Sequence, residues 1–300
     1  MTMTTGAFAK ALWPGVNSWY GKEYGEHKVQ YTELFDTFTS RKAWEEDVAI
    51  SSFGLMQVKG EGAAVQFDNE QQGPTSRYTH VTYALGFIIT RELVEDDLYD
   101  VVGERKARGL AFSNRQTKEI NGANVYNRAF NSSYVGGDGV CLLSSAHTRV
   151  AGGTFSNILS TAADLSEAAL EQATIDLMKY TNDRGLNIPV LPVSLIVAVD
   201  NVHVADKIMQ TEYEVDSTNN TVNVVRSKFP GGVKVNQYLT DADAWFIRTN
   251  VKDGMKHFVR RADDFDMDDD WDTDNAKYKA TARYSFGWTD PRALYGTAGA

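Results

Sequence analysis

The chain has 300 residues, 42% hydrophobic and 23% charged, a usage that excludes wholesale disorder and allows a large buried core. Thirty Lys and Arg against 40 Asp and Glu give a net charge of −10, which argues against a whole surface built to grip phosphates. The single cysteine, Cys141, excludes a disulfide framework and an all-thiolate metal site, and no stretch has the ~20 apolar residues of a membrane span or opens like an export signal. A water-soluble protein made in a reducing cytoplasm is expected, and a compact monomer of this size would expose about 12,600 Å².

Residues 1 to about 45 are rich in aromatic side chains, among them Trp13, Trp19, Tyr20, Tyr24 and Tyr31, and lack long periodicity. They read as an arm that packs on something else, or as a locally packed extension of one domain. Residues 51–90 read as a long two-stranded ribbon with a polar tip rich in Gly, Gln, Asn and Asp, because Arg77 to Tyr83 alternate and Gly73-Pro74 punctuates the run. Such a ribbon is marginal by itself and wants a partner surface. Residues 90–130 predict a long helix that starts at Thr90, carries apolar residues at helical spacing, and is bent or interrupted at Gly103, Gly109, Gly122 and the Ser113-Asn114 pair.

Residues 131–157 read as a glycine-rich loop without a nucleotide-binding fingerprint, and Cys141 and His147 within it as a buried thiol and a loop histidine rather than metal ligands. A capping box from Asp164 to Glu167 opens a helix that closes on Gly185. After it come a buried strand at 193–200, a short helix NVHVADKIMQ, and strands in NTVNVVRSK, VKVNQYL and DAWFIRT, which together suggest a compact α+β or α/β unit over 158–252. GMKHFVRRADDF and KYKATARYSFGWTD predict two more strands.

Between those strands lies RADDFDMDDDWDTDN, with eight Asp; without them the net charge would be −10 + 8 = −2. If the stretch is extended, the period-2 rule puts Asp264, Asp266, Asp268, Asp270, Asp272 and Asp274 on one face. No frame supplies the Gly at position 6 and Glu at position 12 of an EF-hand calcium loop. The run reads as a solvated connector or as a contact, direct or through a cation, with another subunit, and Lys277, Lys279 and Arg283 stand close enough to neutralise it within the chain.

No GxSxG, HExxH, phosphate-loop or kinase pattern is present, and neither catalytic residues nor a cofactor are expected. A hydrolase using an Asp-held metal at 263–274 is the alternative from the enzyme class. The arm, ribbon, bent helix and acidic segment all want neighbours, which points to an assembling structural protein.

The arm and ribbon ahead of ITRELVEDDLYDVV, the loop AFNSSYVGGDGVCLLSSAHTRVAGGTFSN, PVSLIVAVDNVHVADKI, and the segment TDADAWFIRTNVKDGMKHFVRRADDF continuing to DPRALYG together resemble a tailed-bacteriophage major capsid protein of the HK97-type fold, most of all the Mu-like major head subunits. The resemblance implies an α+β subunit with an N-terminal arm (1–50), an extended loop (51–82), a peripheral domain with a spine helix (83–157), an axial domain (158–252), and closing peripheral strands with the C-terminus (253–300). It implies self-assembly into pentamers and hexamers of an icosahedral shell around double-stranded DNA, in the virion, assembled in the bacterial cytoplasm without a membrane. It further implies a separate scaffolding protein and a portal as helpers, and its alternative within the virion is another structural protein such as a decoration or tail-tube component. Some relatives form a Lys–Asn crosslink; Lys59 sits on the ribbon, but its partners are not identifiable.

Overall fold

The computed structural model describes residues 9–95, 99–213, 221–269 and 275–300, with the side chains of 9–14, 94, 95, 99–101 and 269 outside the description. In chain order the elements are α1 (Ala9–Glu26), α2 (Tyr31–Leu34), β1 (Asp36–Thr39), β2 (Trp44–Ile50), β3 (Gln72–Thr79), β4 (Val81–Ile89), α3 (Arg91–Glu95) and α4 (Tyr99–Asn127). They continue with β5 (His147–Thr148), β6 (Thr154–Phe155), α5 (Glu167–Met178), β7 (Pro192–Val197), α6 (Val202–Gln210), β8 (Val233–Val235), β9 (Trp245–Thr249), β10 (Met255–Asp269), β11 (Ala276–Trp288) and β12 (Leu294–Thr297).

Two four-stranded sheets organise the chain. The first runs β1-β10-β11-β4, with β1 parallel to β10 and the other neighbours antiparallel. Its inner face, with Ile89, Ala276, Tyr278 and Ala280, packs on Ala107, Leu110 and Ala111 of α4 and on Val16 and Tyr20 of α1. From Val16 on, the N-terminal segment thus packs on its own chain. It is helical because Val16, Tyr20 and Tyr24 recur every fourth residue and form one stripe, a short period masked by the surrounding aromatics. Buried Glu119 of α4 accepts the backbone N–H groups of Gln30 (2.9 Å) and Tyr31 (2.8 Å), which fixes the turn into α2.

The expected interruptions of the long helix do not occur: α4 continues for 29 residues, about 44 Å, through Gly103, Gly109, Ser113-Asn114 and Gly122. Gly122 makes a close contact: a Cβ there would lie 3.2 Å from Tyr31 Cβ. Burial of the Ala107-to-Tyr126 stripe outweighs the ~1 kcal/mol penalty of each helical glycine.

The second sheet runs β12-β9-β7-β8 and carries α5 and α6 around a core of Leu170, Leu177, Leu195, Val197, Trp245 and Ile247. The N-cap of α5 is Ser166, whose side chain accepts from Ala169 N, and not Asp164, which accepts from Ala300 N. The strand expected in NTVNVVRSK is absent from its described part, 221–228. Asn223 Oδ1 accepts the N–H groups of Val225 and Arg226, and this local turn competes with a ladder. The closing segment also divides differently from the expectation. After β11 a 3₁₀ turn at Pro291–Ala293 sends β12 to the edge of the second sheet, beside β9, because Leu294 and Tyr295 bury there.

A third cluster, with Leu34, Phe35, Tyr126, Leu142, Ile196, Phe246 and Leu294, joins the two sheets. Gly254 lies in this joint, where an added Cβ would fall 2.2 Å from Ala293 Cβ. Gly254→Ala is expected to destabilise the fold by about 1–3 kcal/mol through overpacking, read by thermal or denaturant unfolding.

Candidate assembly surfaces

The ribbon is paired only at its base. β2 and β3 register from Trp44↔Thr79 to Ile50↔Gln72, and residues 52–71 form no strand, shorter pairing than the sequence suggested. Gly54, Gly60 and Gly62 fall in this stretch, and no sheet lies beneath it to reward pairing. A turn at Gly60 to Ala63, with Gly62 at φ +75°, closes the tip. Every residue from 52 to 72 is exposed, and six of them are large and apolar: Phe53, Leu55, Met56, Val58, Val65 and Phe67. Met56 and Val58 are fully open to solvent, at 101% of their reference area. Lys59 stands beside them, exposed.

The root of the ribbon is fixed. Lys256 pairs with Asp47 at 2.6 Å, Thr289 donates to Asp47 at 2.9 Å, and the Tyr78 and Thr289 hydroxyls meet at 2.6 Å. At the break between β3 and β4, buried His80 bridges Ser40 (3.1 Å) and Ser285 (3.0 Å). Farther out, Arg184 reaches Asp68 (3.1 Å) and Asn69 O (2.7 Å). The whole chain exposes 17,023 Å², about 4,400 Å² more than a compact monomer of its mass.

The acidic run continues β10 as an extended strand. Asp264, Asp266 and Asp268 are exposed while Asp263, Phe265 and Met267 are half-buried, the alternation the period-2 rule gives. Across the ladder Asp266 opposes Lys279, at 3.5 Å, and Asp268 opposes Lys277. Arg283 turns elsewhere, its Nε donating to His80 O. Asp270, Asp272 and Asp274 lie outside the described residues. Among the described residues no group of three His, Cys, Asp or Glu is placed to hold a metal ion.

Asp263, on the opposite face from the candidate row, is half-buried and held by three side chains. Lys118 of α4 reaches it at 2.6 Å, Tyr24 of α1 donates to it, and Asn114 donates at 3.3 Å. Burial alone would raise this carboxyl, but Lys118, Tyr24 and Asn114 hold it below the ordinary range. One group therefore joins the arm, the long helix and β10. The signal was available: a charge on the inward face of a strand needs a buried partner.

Next to Lys118 lies His257, 1% exposed and stacked on Phe286 at 4.3 Å. Burial, aided by the Lys118 charge, pushes its pKa down to about 4. The unfolded chain takes up a proton near pH 6.5 that the folded chain refuses until about pH 4. Stability is untouched above pH 6.5 and falls between 6.5 and 4, by about 3 kcal/mol from this group. His257→Phe is expected to flatten that limb of the pH profile in equilibrium unfolding.

Two linked sheets, a long helix and a projecting apolar ribbon define a subunit built to join others, and the architecture is the HK97-type capsid fold. The chain is similar to the procapsid subunit of bacteriophage JBD30 (TM-score 0.56, 13% identity, covering 98% of this chain and 76% of that one). It is also similar to the capsid of a native GTA particle (0.55, 12%, 90% and 89%) and to a Mycobacterium phage Adephagia structure (0.54, 12%, 91% and 91%). A family model described as phage capsid protein matches residues 73–297, three quarters of the chain, and the chain belongs to that family. It is a major capsid protein, a structural subunit of the virion shell and not an enzyme. No curated protein matches the chain in sequence.

Proposed function

We propose that copies of this chain close into pentamers and hexamers, and these into an icosahedral shell around double-stranded DNA. The observation that carries this reading is the ribbon: residues 52–72 hold six large apolar side chains in water and are held out by a fixed root. Burying such a side chain on a neighbour is worth about 1.5–3 kcal/mol. Heterologous contacts of this kind close into rings when the rotation permits. In this reading residues 1–50 are the arm, 51–82 the extended loop, 83–157 the peripheral domain, 158–252 the axial domain, and 253–300 return to the peripheral domain, except that β12 closes the axial sheet. A separate scaffolding protein and a portal complete the assembly in the host cytoplasm, and the DNA is held by loose, non-specific contact.

Electron microscopy of the concentrated, purified chain tests the reading. Closed shells with five- and six-fold capsomers are expected, and a persistent monomer would overturn it.

The acidic row (Asp264, Asp266, Asp268, Asp270 and Asp272) is proposed as a contact between capsomers, direct or cation-bridged. Lys59 is proposed as a contact of the ribbon tip with a neighbour. Replacing Asp266, Asp268 and Asp270 with Asn is expected to change subunit stability by less than about 1 kcal/mol, because the described pairs are exposed. The same variant is expected to weaken shell formation and its sensitivity to chelators. Unchanged shells would remove the role.

A further inference from the structure

Past its root the ribbon is tied to the body of the subunit at one point. The last rung between its legs is buried: Ser51, 1% exposed, donates its N–H to Gln71 O (2.9 Å), and its hydroxyl accepts from Gln71 N (2.8 Å). Beyond that rung every residue from 52 to 71 is exposed and none lies in a strand. A side chain joins the legs again. Asp68 on the returning leg accepts the N–H of Gly54 on the outgoing leg (2.8 Å) and the N–H of Asn69 (2.9 Å). Gly54 leaves room for this approach, because a Cβ there would lie 3.2 Å from Asp68 Oδ2.

Arg184 reaches this junction from the other half of the molecule. It belongs to the turn 181–187 after α5, on the unit of the second sheet, whereas Lys256 and Thr289 fix the ribbon root to the first. Its Nη2 donates to Asp68 Oδ1 (3.1 Å) and to Asn69 O (2.7 Å). The turn is built to present it. Asn182 Oδ1 accepts the N–H groups of Arg184 and Leu186 (2.9 Å each), Asn182 N donates to Leu186 O (2.7 Å), and Gly185 takes φ +78°. Adjacent Asp183 is anchored on Arg292 at 3.0 Å. Among the described residues no other side chain outside the ribbon bonds to residues 52–71.

We propose that Arg184 is a releasable latch: it holds the outer ribbon, residues 52–71, in one direction in the free subunit, and when it lets go the ribbon swings about the Ser51–Gln71 rung. The contact suits release. Arg184 is 28% exposed and Asp68 42%, and an exposed ion pair shifts an equilibrium by about five-fold or less. Opening uncovers no apolar surface, because the ribbon side chains already stand in water. The Gly54 N–H foremost, with the Asn69 N–H and the Arg184 charge, holds the Asp68 carboxyl below the ordinary carboxylate range against slight desolvation, so the acceptor stays ionised. The latch thus sets direction without carrying the fold. It also couples the apolar tip to the second-sheet unit, since a displacement of that unit against the first sheet moves Arg184 and redirects the ribbon.

The latch acts within one subunit and does not depend on what the tip touches in a shell. Double electron–electron resonance on the dilute full chain reads it, with spin labels placed by Lys59→Cys at the tip and Lys179→Cys just after α5, both exposed, in a Cys141→Ser background. At low salt one narrow distance is expected. In Arg184→Gln the population outside that distance is expected to grow about five-fold. The melting temperature is expected to hold, because Asn182 still closes the turn. Sodium chloride at about 1 M, which screens exposed charges beyond ~3 Å, is expected to broaden the wild-type distribution in the same way and to add little in the variant. A variant as narrow as the wild type, or a wild type already as broad as the variant, would overturn the proposal. Should the variant fail to fold, the salt series on the wild type decides: a distribution that salt leaves unchanged would also overturn it.

Discussion

Replacing Met56 and Val58 with Asp is expected to leave the melting temperature of the subunit unchanged and to abolish shell formation. Both side chains are fully exposed, so the isolated fold loses no contact, and such surface changes stay within about 0.5 kcal/mol. Association loses far more. Two buried apolar groups are worth about 3–6 kcal/mol together, before the added cost of desolvating two carboxylates. That is a factor of at least about a hundred in each ribbon contact, repeated at every subunit. Thermal unfolding with gel filtration and electron microscopy separates the two readouts. Normal shells from the variant would show that the ribbon tip is not a contact.

The largest effect on the fold itself is expected from Lys118→Met. Lys118 is 6% exposed and Asp263 17%, so the substitution leaves a largely shielded carboxylate with only Tyr24 and Asn114. Breaking a buried pair from one side costs about 3–5 kcal/mol. The double variant Lys118→Met with Asp263→Leu removes both charges and is expected to regain most of that loss. Denaturant unfolding of the three proteins measures it, and a single variant as stable as the wild type would mean that the pair does not pin the helix to the sheet.

The contrast between Asp263 and its neighbours shows where sequence reading works. Alternation along β10 was legible because an extended chain sorts side chains by parity, and Asp264, Asp266 and Asp268 fall outside as that rule requires. β7, α6, β9 and β11 were legible as short apolar runs or periodic stripes. The rest turned on contacts remote in sequence. Gly122 lies against Tyr31, 91 residues earlier in the chain, and no local pattern shows that contact. The strand expected around Val222 gave way to the turn built by Asn223. The partner of Asp263 sits 145 residues away, on α4, and no local pattern announces it. The exposed ribbon was legible in its glycines and its need for a partner. The end of its pairing at Ile50 was not, because that depends on where the underlying body stops.

Both sheets wait for the same stretch of chain. β1 finds its parallel neighbour only in β10, 220 residues later (Asp36↔Lys256), and β9 gains its outer neighbour only when β12 exists. A nascent polypeptide halted before residue 255 therefore has neither sheet complete, and its ribbon has no Lys256 or Thr289 to brace it. Nearly the whole sequence must therefore be present before either sheet has its full complement of strands, and a chain that stops short of β12 leaves the edge of β9 unpaired.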